Sequence, residues 1–313
     1  KSNVLGKPMK EPQDVPFEKE GQYLKSDNRS NISYFLEHNV LLRRFTLSVG
    51  VLANYNSALN EGIHFYPGID ASYRIGDNFR LYGSWNRALR MPTFTDLYYE
   101  GKTNKGNPDL KPEESEAFEV GLKYNTYFLR AHIAGFYRKG KNMIDWVKEK
   151  PEDIWESQNL TKVDNLGFET NLSLLPRELG NERFFIRKIE LGYAFIHQDK
   201  DSEGYISNYA LDYLKHKFTA QLSHSIWKGF SATWYVRWQD RAGSYTKYEN
   251  LKPAYEEPYA PYCLVDMKVN WEYQRLNLYA ELNNLLNSTY YDLGNIPQPG
   301  IWFKAGFRYS FKY

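Results

Sequence analysis

The chain has 313 residues, a net charge of +2, a mean hydropathy of −0.67 and one cysteine, Cys263. So small a charge implies neither nucleic acid nor an anionic surface as partner, a lone thiol excludes an internal disulfide, and no apolar run approaches the roughly 18 residues of a membrane-spanning helix. Yet 17% of the residues are aromatic and 27 are tyrosine, side chains that pair an apolar body with a polar tip and collect where dry surroundings meet wet ones.

Residues 1–29, rich in Lys, Pro and Gly, are expected to be part of a loop. Beyond them apolar side chains recur at every second position, the period of a strand with two different faces. In 31–42, Tyr34, Leu36, Val40 and Leu42 lead to Arg43 and Arg44; in 45–55, Phe45, Leu47, Val49, Val51, Ala53 and Tyr55 follow. Residues flanking a two-residue hairpin turn face the same way, so both rows share one face. Strands 63–75 and 79–87 repeat the device around Gly76, Asp77 and Asn78, and strands 116–124 and 127–138 around Asn125 and Thr126. Strands 156–174 and 185–197 come next, then 216–226 and 230–239 around Trp227, Lys228 and Gly229. In 263–273 and 276–286 the apolar row runs Val265, Met267, Val269, Trp271, Tyr273, then Leu276, Leu278, Ala280, Leu282 across Gln274 and Arg275. Asp266, Lys268, Asn270, Glu272, Asn277 and Glu281 take the opposite face. The last strand, 301–312, alternates Phe303, Ala305, Phe307, Tyr309 and Phe311 with Lys304, Gly306, Arg308 and Ser310, and the chain stops on the aromatic Tyr313.

The connections sort by length. Short turns alternate with long polar stretches at about 88–115, 140–166, 199–215, 240–262 and 288–299, the link at 56–62 being the shorter exception. A sandwich has no reason to sort its loops, whereas a transmembrane barrel has short periplasmic turns and long outer loops. Residues 263–273, at about 3.3 Å per residue and a tilt of about 40–45°, span about 25 Å, the height of such a barrel's apolar band. Trp227, Trp238 and Trp271 stand near strand ends, where membrane aromatic girdles lie. The expected fold is all-β, an antiparallel transmembrane outer-membrane β-barrel. The competing architecture is a soluble β-sandwich with its apolar face packed on a second sheet. About thirteen strands with one terminus on each side do not make a complete bacterial barrel, whose count is even. An open edge in lipid also leaves backbone groups unpaired. Completing strands are therefore expected from elsewhere, and the start at Lys1 reads as a piece of a longer precursor.

Two blocks carry a family likeness. One is WNRALRMPTFTDLYYEGKTNKGNPDLKPEESEAFEVGLKY from Trp85, with Arg90, Pro92, Thr93, Gly106, Asn107, Pro108, Leu110, Pro112, Glu113, Ser115, Glu119 and Gly121 at the marked positions. The other is LNNLLNSTYYDLGNIPQPGIWFKAGFRYSF at the end. Together they resemble the TonB-dependent outer-membrane receptors, over most of the chain. The resemblance implies a barrel of about 22 strands, of which residues 30–313 would be the C-terminal part and residues 1–29 an extracellular loop segment. It implies active import of a scarce, bulky nutrient across the outer membrane of a Gram-negative bacterium. The implied partners are a plug and the remaining strands of the same receptor, the TonB complex reached through that plug, a surface lipoprotein, a small-molecule substrate and outer-membrane lipid. The Gly- and Pro-punctuated block around Asn107, Pro108, Leu110, Pro112 and Glu113, with Arg90 and Pro92, is expected to be structural, since prolines fix a loop backbone with little entropy to lose.

No hydrolase constellation, phosphate loop or Cys–His cluster is present, and the six histidines stand at no metal-ligand spacing. The chain is not expected to be an enzyme. Tyrosines crowd the outer loops, and Tyr98, Tyr99, Tyr205, Tyr209, Tyr245, Tyr248, Tyr255, Tyr290 and Tyr291 are the candidate ligand contacts, because rigid aromatics make large contacts at low entropic cost. Asp199, Asp201 and Glu203, followed by Gly204, match the start of a calcium loop, but the twelfth position is Ala210 rather than Glu. Ca2+ there is the one cofactor entertained, against a solvated acidic turn. Within the resemblance, the absence of His between Pro92 and Asn107 counts against haem. Vitamin B12 (cobalamin) is the expected nutrient, with a ferric siderophore as the alternative and a passive porin or a soluble binding module as readings of another class.

Overall fold

The computed structural model describes residues 7–14, 22–58, 62–150, 152–180, 183–201, 204–207, 213–249, 252–294 and 296–311. Thirteen strands lie side by side in chain order: β1 (Asn31–Leu41), β2 (Phe45–Asn56), β3 (Ile63–Ile75), β4 (Phe79–Arg90), β5 (Glu113–Asn125), β6 (Leu129–Lys148), β7 (Trp155–Leu174), β8 (Ile186–Asp201), β9 (Leu214–Trp227), β10 (Phe230–Arg241), β11 (Tyr262–Tyr273), β12 (Leu276–Asn283) and β13 (Trp302–Tyr309). Each is antiparallel to its sequence neighbour. The sheet is open, with β1 and β13 as its edges.

The register gathers the apolar side chains into rows on one face. Val49, Ile69, Trp85, Phe118, Tyr137 and Leu166 are in line across six strands, and Phe230, Trp271, Leu278 and Phe307 across four. Among the described residues no second sheet covers them. Tyr34 is 70% exposed, Leu36 60%, Val120 59% and Phe307 73%, so the β-sandwich expectation fails. Burying one large apolar side chain is worth about 1.5–3 kcal/mol, and a face that repeats such residues strand after strand is stable only against hydrocarbon. Aromatics rim it beside the short turns: Phe79 with Tyr124 (4.5 Å between centroids), Phe230 with Trp271 (5.9 Å) and Tyr309 with Phe311 (5.0 Å). A second set, Phe168, Phe195, His216 and Trp238, stands toward the long loops.

The other face is polar. Glu281 is held between Lys268 (2.7 Å) and Lys304 (2.5 Å), and the Tyr82 hydroxyl bridges Glu119 (2.7 Å) and His132 Nε2 (2.8 Å). Three aromatics on this face fill the room left by a glycine of the adjacent strand: Tyr82 at Gly121, Phe136 at Gly167 and Tyr279 at Gly306. In each case an added Cβ would come within 2.5 Å of the aromatic residue.

The short turns follow the sequence with two adjustments. Leu42 and Phe45 bracket Arg43 and Arg44, and Tyr273 pairs with Leu276 around Gln274, whose φ is 50°. The turn expected at Asn125 and Thr126 lies instead at Tyr127 and Phe128, because the Thr126 hydroxyl brackets it, accepting from the Leu129 amide at 3.0 Å. Trp227 belongs to β9 and pairs with Phe230, leaving Lys228 and Gly229 (φ 85°) as the turn.

The long connections are more structured than expected. Strands β6 and β7 run 20 residues each, so most of 140–166 is an extended hairpin rather than a loop. Its two edges are covered: Asn104–Lys105 pairs with Trp155 and Glu156, and Ile206–Ser207 with Lys148 and Val147. Strand β4 continues to Arg90 and leads into a short helix, α1 (Phe94–Tyr98). Hairpins Ser244–Glu249 with Lys252–Pro258, Tyr291–Leu293 with Ile296–Pro297, and Lys7–Asp14 with Gln22–Ser26 occupy the other stretches. Leu97, Leu110, Trp146 and Val147 form a small buried core here.

Candidate binding mouth

Two structures are built at the long-loop end. The first joins α1 to β4, β5 and β6. Thr93 and Asp96 form a reciprocal capping box, each accepting from the other's backbone amide (3.1 and 3.0 Å). Arg90 donates to both oxygens of Glu113, which also accepts from the Ile144 amide at 2.7 Å. Trp146 Nε1 donates to Asp96 at 3.3 Å. The Gly106 amide donates to Tyr99 O at 2.6 Å and the Asn107 amide to Asp96 O at 2.9 Å. A Cβ on Gly106 would meet the α1 backbone at 2.8 Å, so only glycine allows this approach. Asn107 Oδ1 accepts from the Asp109 amide at 2.9 Å, Leu110 is buried, Pro112 is half-buried and Pro108 is exposed. Pro92 is buried and its carbonyl accepts from Arg29 at 2.7 Å; the same guanidinium lies 5.0 Å over Phe94. The motif residues thus hold one another and fix residues 88–115 to the wall. Tyr98 belongs to this clasp: its hydroxyl donates to Asp27 at 2.7 Å, and burial, then Asp27, pushes its pKa up to about 12. Tyr99 is partly exposed, edge-on to Trp146 at 6.4 Å.

The second structure is a tyrosine group between the 244–258 hairpin and the 284–299 segment. The Tyr245 ring lies 5.1 Å from Tyr259 and stacks on Tyr291 at 5.5 Å; Tyr262 and Tyr290 meet tilted at 4.7 Å. The Arg241 guanidinium stands 5.5 Å from the Tyr259 ring centroid, and the Tyr259 hydroxyl accepts from the Gly294 amide at 3.0 Å. Tyr262 bonds Gln239 and Asp292. Burial, then Glu257, raises the Tyr245 pKa. Tyr248 and Tyr255 are exposed on the hairpin, with Lys247 between Glu257 (2.5 Å) and the Tyr255 ring.

Of the nine candidate tyrosines, then, Tyr245 and Tyr291 come together, Tyr290 packs on Tyr262, and Tyr98 and Tyr99 are tied into the clasp. Tyr205 stands apart in a cleft with Lys148 and Glu156, and Tyr209 lies outside the described residues. Arg241, Tyr262 and Asp292 were missed by sequence reasoning; the run Tyr290, Tyr291, Asp292 was the available signal. Asp199 and the backbone of Asp201 continue β8, paired with Asp164 and Lys162, while Glu203 lies outside the described residues. Among the described residues no group of three His, Cys, Asp or Glu side chains is placed to hold a metal.

A single antiparallel sheet with an exposed apolar face, aromatic rims and a structured mouth defines an outer-membrane β-barrel wall. The profile of the family described as TonB dependent receptor-like, beta-barrel matches residues 9–285. The chain belongs to that family, and so to the outer membrane of the Gram-negative envelope. It is 26% identical over 225 residues to the vitamin B12 transporter BtuB of Vibrio vulnificus, covering 54% of this chain and 36% of that one. It is 22% identical over 297 residues to the ferrienterobactin receptor of Escherichia coli, covering 86% and 38%. In fold it matches the ferric enterobactin receptor PfeA of Pseudomonas aeruginosa with a TM-score of 0.71, at 19% identity, over 99% of this chain and 48% of that one. The chain spans about a third of the length of the curated relatives it matches.

Proposed function

We propose that this chain is part of the wall of a non-enzymatic TonB-dependent importer. Residues 30–313 form barrel wall and residues 1–29 an extracellular loop segment. Further strands of the same receptor close the edges at β1 and β13, since unpaired strand edges are not tolerated in hydrocarbon. A plug fills the polar lumen and connects to the TonB complex, and a surface lipoprotein covers the mouth.

The proposed cargo is vitamin B12. The observation that carries this reading is the Tyr245, Tyr259 and Tyr291 group together with the tilted Tyr262–Tyr290 pair. It offers several flat, pre-ordered surfaces to one bulky ring system, and the relatives include vitamin B12 transporters. A ferric siderophore is the second reading, favoured by Arg241 and Lys247 among the tyrosines, cations that suit an anionic chelate, and by the ferrienterobactin receptor among the relatives.

Calorimetric titration of the full-length receptor in detergent with cyanocobalamin, and separately with ferric enterobactin, tests this. Binding of cyanocobalamin with Kd below about 1 µM, about −8 kcal/mol, is expected. Binding of the iron chelate alone overturns the cobalamin assignment. Steady ligand-independent conductance in planar bilayers, as from a passive porin, overturns the importer.

A further inference from the structure

The inner face carries a run of like charge. Arg74 stands directly opposite Arg80, and Arg80 directly opposite Lys123. Arg44 extends the row, its carbonyl accepting from the Arg74 amide at 2.7 Å. These side chains alternate with Tyr73, Ile75, Phe79, Leu81 and Leu122 of the apolar face, so they point into the lumen, close to the short turns. Arg44 at the β1–β2 turn and the cations of β3, β4 and β5, about 4.8 Å apart from strand to strand, make a line about 15 Å long. All four are exposed. Among the described residues none of them makes an ion pair or a side-chain hydrogen bond; Lys123 only lies over the Tyr82 ring, at 4.7 Å. The inward carboxylates Asp70 and Glu119 are each four residues further along their strands, a backbone rise of about 13 Å; the hydroxyl of the Tyr82 ring beneath Lys123 bonds Glu119 at 2.7 Å, and Asp77 sits in the turn between Arg74 and Arg80.

Like charges directly opposite one another destabilise a sheet, and among the described residues no carboxylate is ion-paired with any of the four. We infer that the row seats an acidic polypeptide segment inside the lumen, carboxylates facing Arg44, Arg74, Arg80 and Lys123. A line of about 15 Å matches four or five residues of extended chain, whereas a single inorganic anion reaches two of the four cations. The inference rests on the reading that a plug fills the lumen, and names the chemistry of the plug surface that meets β2 to β5.

Zero-length carbodiimide cross-linking of the full-length receptor in lipid tests it, because this reagent joins amines only to carboxylates in direct contact. Lys123 supplies one amine and the conservative variant Arg80→Lys a second. Mass spectrometry is expected to find both joined to Asp or Glu outside residues 30–313. The yield should fall several-fold between about 0.1 and about 1 M salt, as the screening length drops from about 10 to about 3 Å. Adducts only to Asp70, Asp77 or Glu119, or none, overturn the inference. Protection by inorganic phosphate without any peptide adduct marks a small-anion seat and overturns it too. Bilayer conductance separates the two readings: a receptor that is electrically closed but gives no adduct at this row leaves the plug in place and removes only its acidic contact, whereas a freely conducting receptor removes both.

Discussion

Glu113 ties the loop block to the wall, and its removal has a calculable cost. The residue is 6% exposed. It accepts both Arg90 donors and the Ile144 amide, the latter at 2.7 Å. Glu113→Ala removes all three bonds. Arg90 is 53% exposed, so water takes over much of its solvation and its share is about 0.5–1 kcal/mol. The amide loses a charged acceptor in a buried setting, about 1.5–3 kcal/mol. The sum is about 2–4 kcal/mol, acting on local opening of the clasp rather than on the barrel. At 1.4 kcal/mol per decade that is a roughly 30- to 700-fold increase in opening. Hydrogen exchange of the receptor in detergent, read by mass spectrometry, should show it in peptides from 94–110 and 142–148, with 230–239 unchanged. Glu113→Gln keeps one carbonyl acceptor and should lose about a tenth as much protection. Unchanged exchange at 94–110 in Glu113→Ala, or a uniform rise over the whole sheet, would refute the reasoning.

Gly121→Ala places a methyl 2.5 Å from the Tyr82 ring and must push it off Glu119 and His132; an overpacking cost of about 1–3 kcal/mol is expected, seen as a lower urea midpoint in micelles, and an unchanged midpoint would show that the ring moves freely. Tyr98 has its folded pKa raised from 10.0 to about 12, so the fold favours the neutral phenol: this stabilisation is whole below pH 10 and lost as pH rises toward 12. The difference between native and Tyr98→Phe titrations at 295 nm should contain one phenol ionising near pH 12, and ionisation near pH 10 would contradict it. Tyr245→Ala and Tyr291→Ala should each weaken cargo binding about 10- to 100-fold without altering the heat-modifiable gel shift of the folded barrel, while equal losses from Tyr205→Ala would show that the tyrosine group is not the contact surface.

The lipid-exposed part of the fold was legible because hydrocarbon imposes a period of two on every strand: Val265 to Tyr273 and Leu276 to Leu282 pair as their alternation requires. Where the strands rise beyond the apolar band that pressure disappears. Residues 140–148 place Met143, Ile144, Trp146 and Val147 without a period of two and read as loop, yet they are strand because β7 and the Ile206–Ser207 segment satisfy their backbones. The Tyr127 and Phe128 turn was misplaced for a related reason: aromatics at a membrane rim look like strand residues, and the bracket depends on one hydroxyl, that of Thr126. At the mouth, composition showed that tyrosines matter but not which ones meet. Tyr245 reaches Tyr291 only because two separate hairpins fold toward each other, a contact between residues 46 positions apart that no local pattern encodes.

Strand number and shear set the radius of a barrel's backbone, but the clear bore is whatever the inward side chains leave open. Tyr82, Phe136 and Tyr279 would each project toward the axis if they stood upright. Set into the room left by Gly121, Gly167 and Gly306, they become part of the lining. The wall thereby gains aromatic lining at little expense in calibre, because each ring takes up space that a β-carbon would otherwise have claimed.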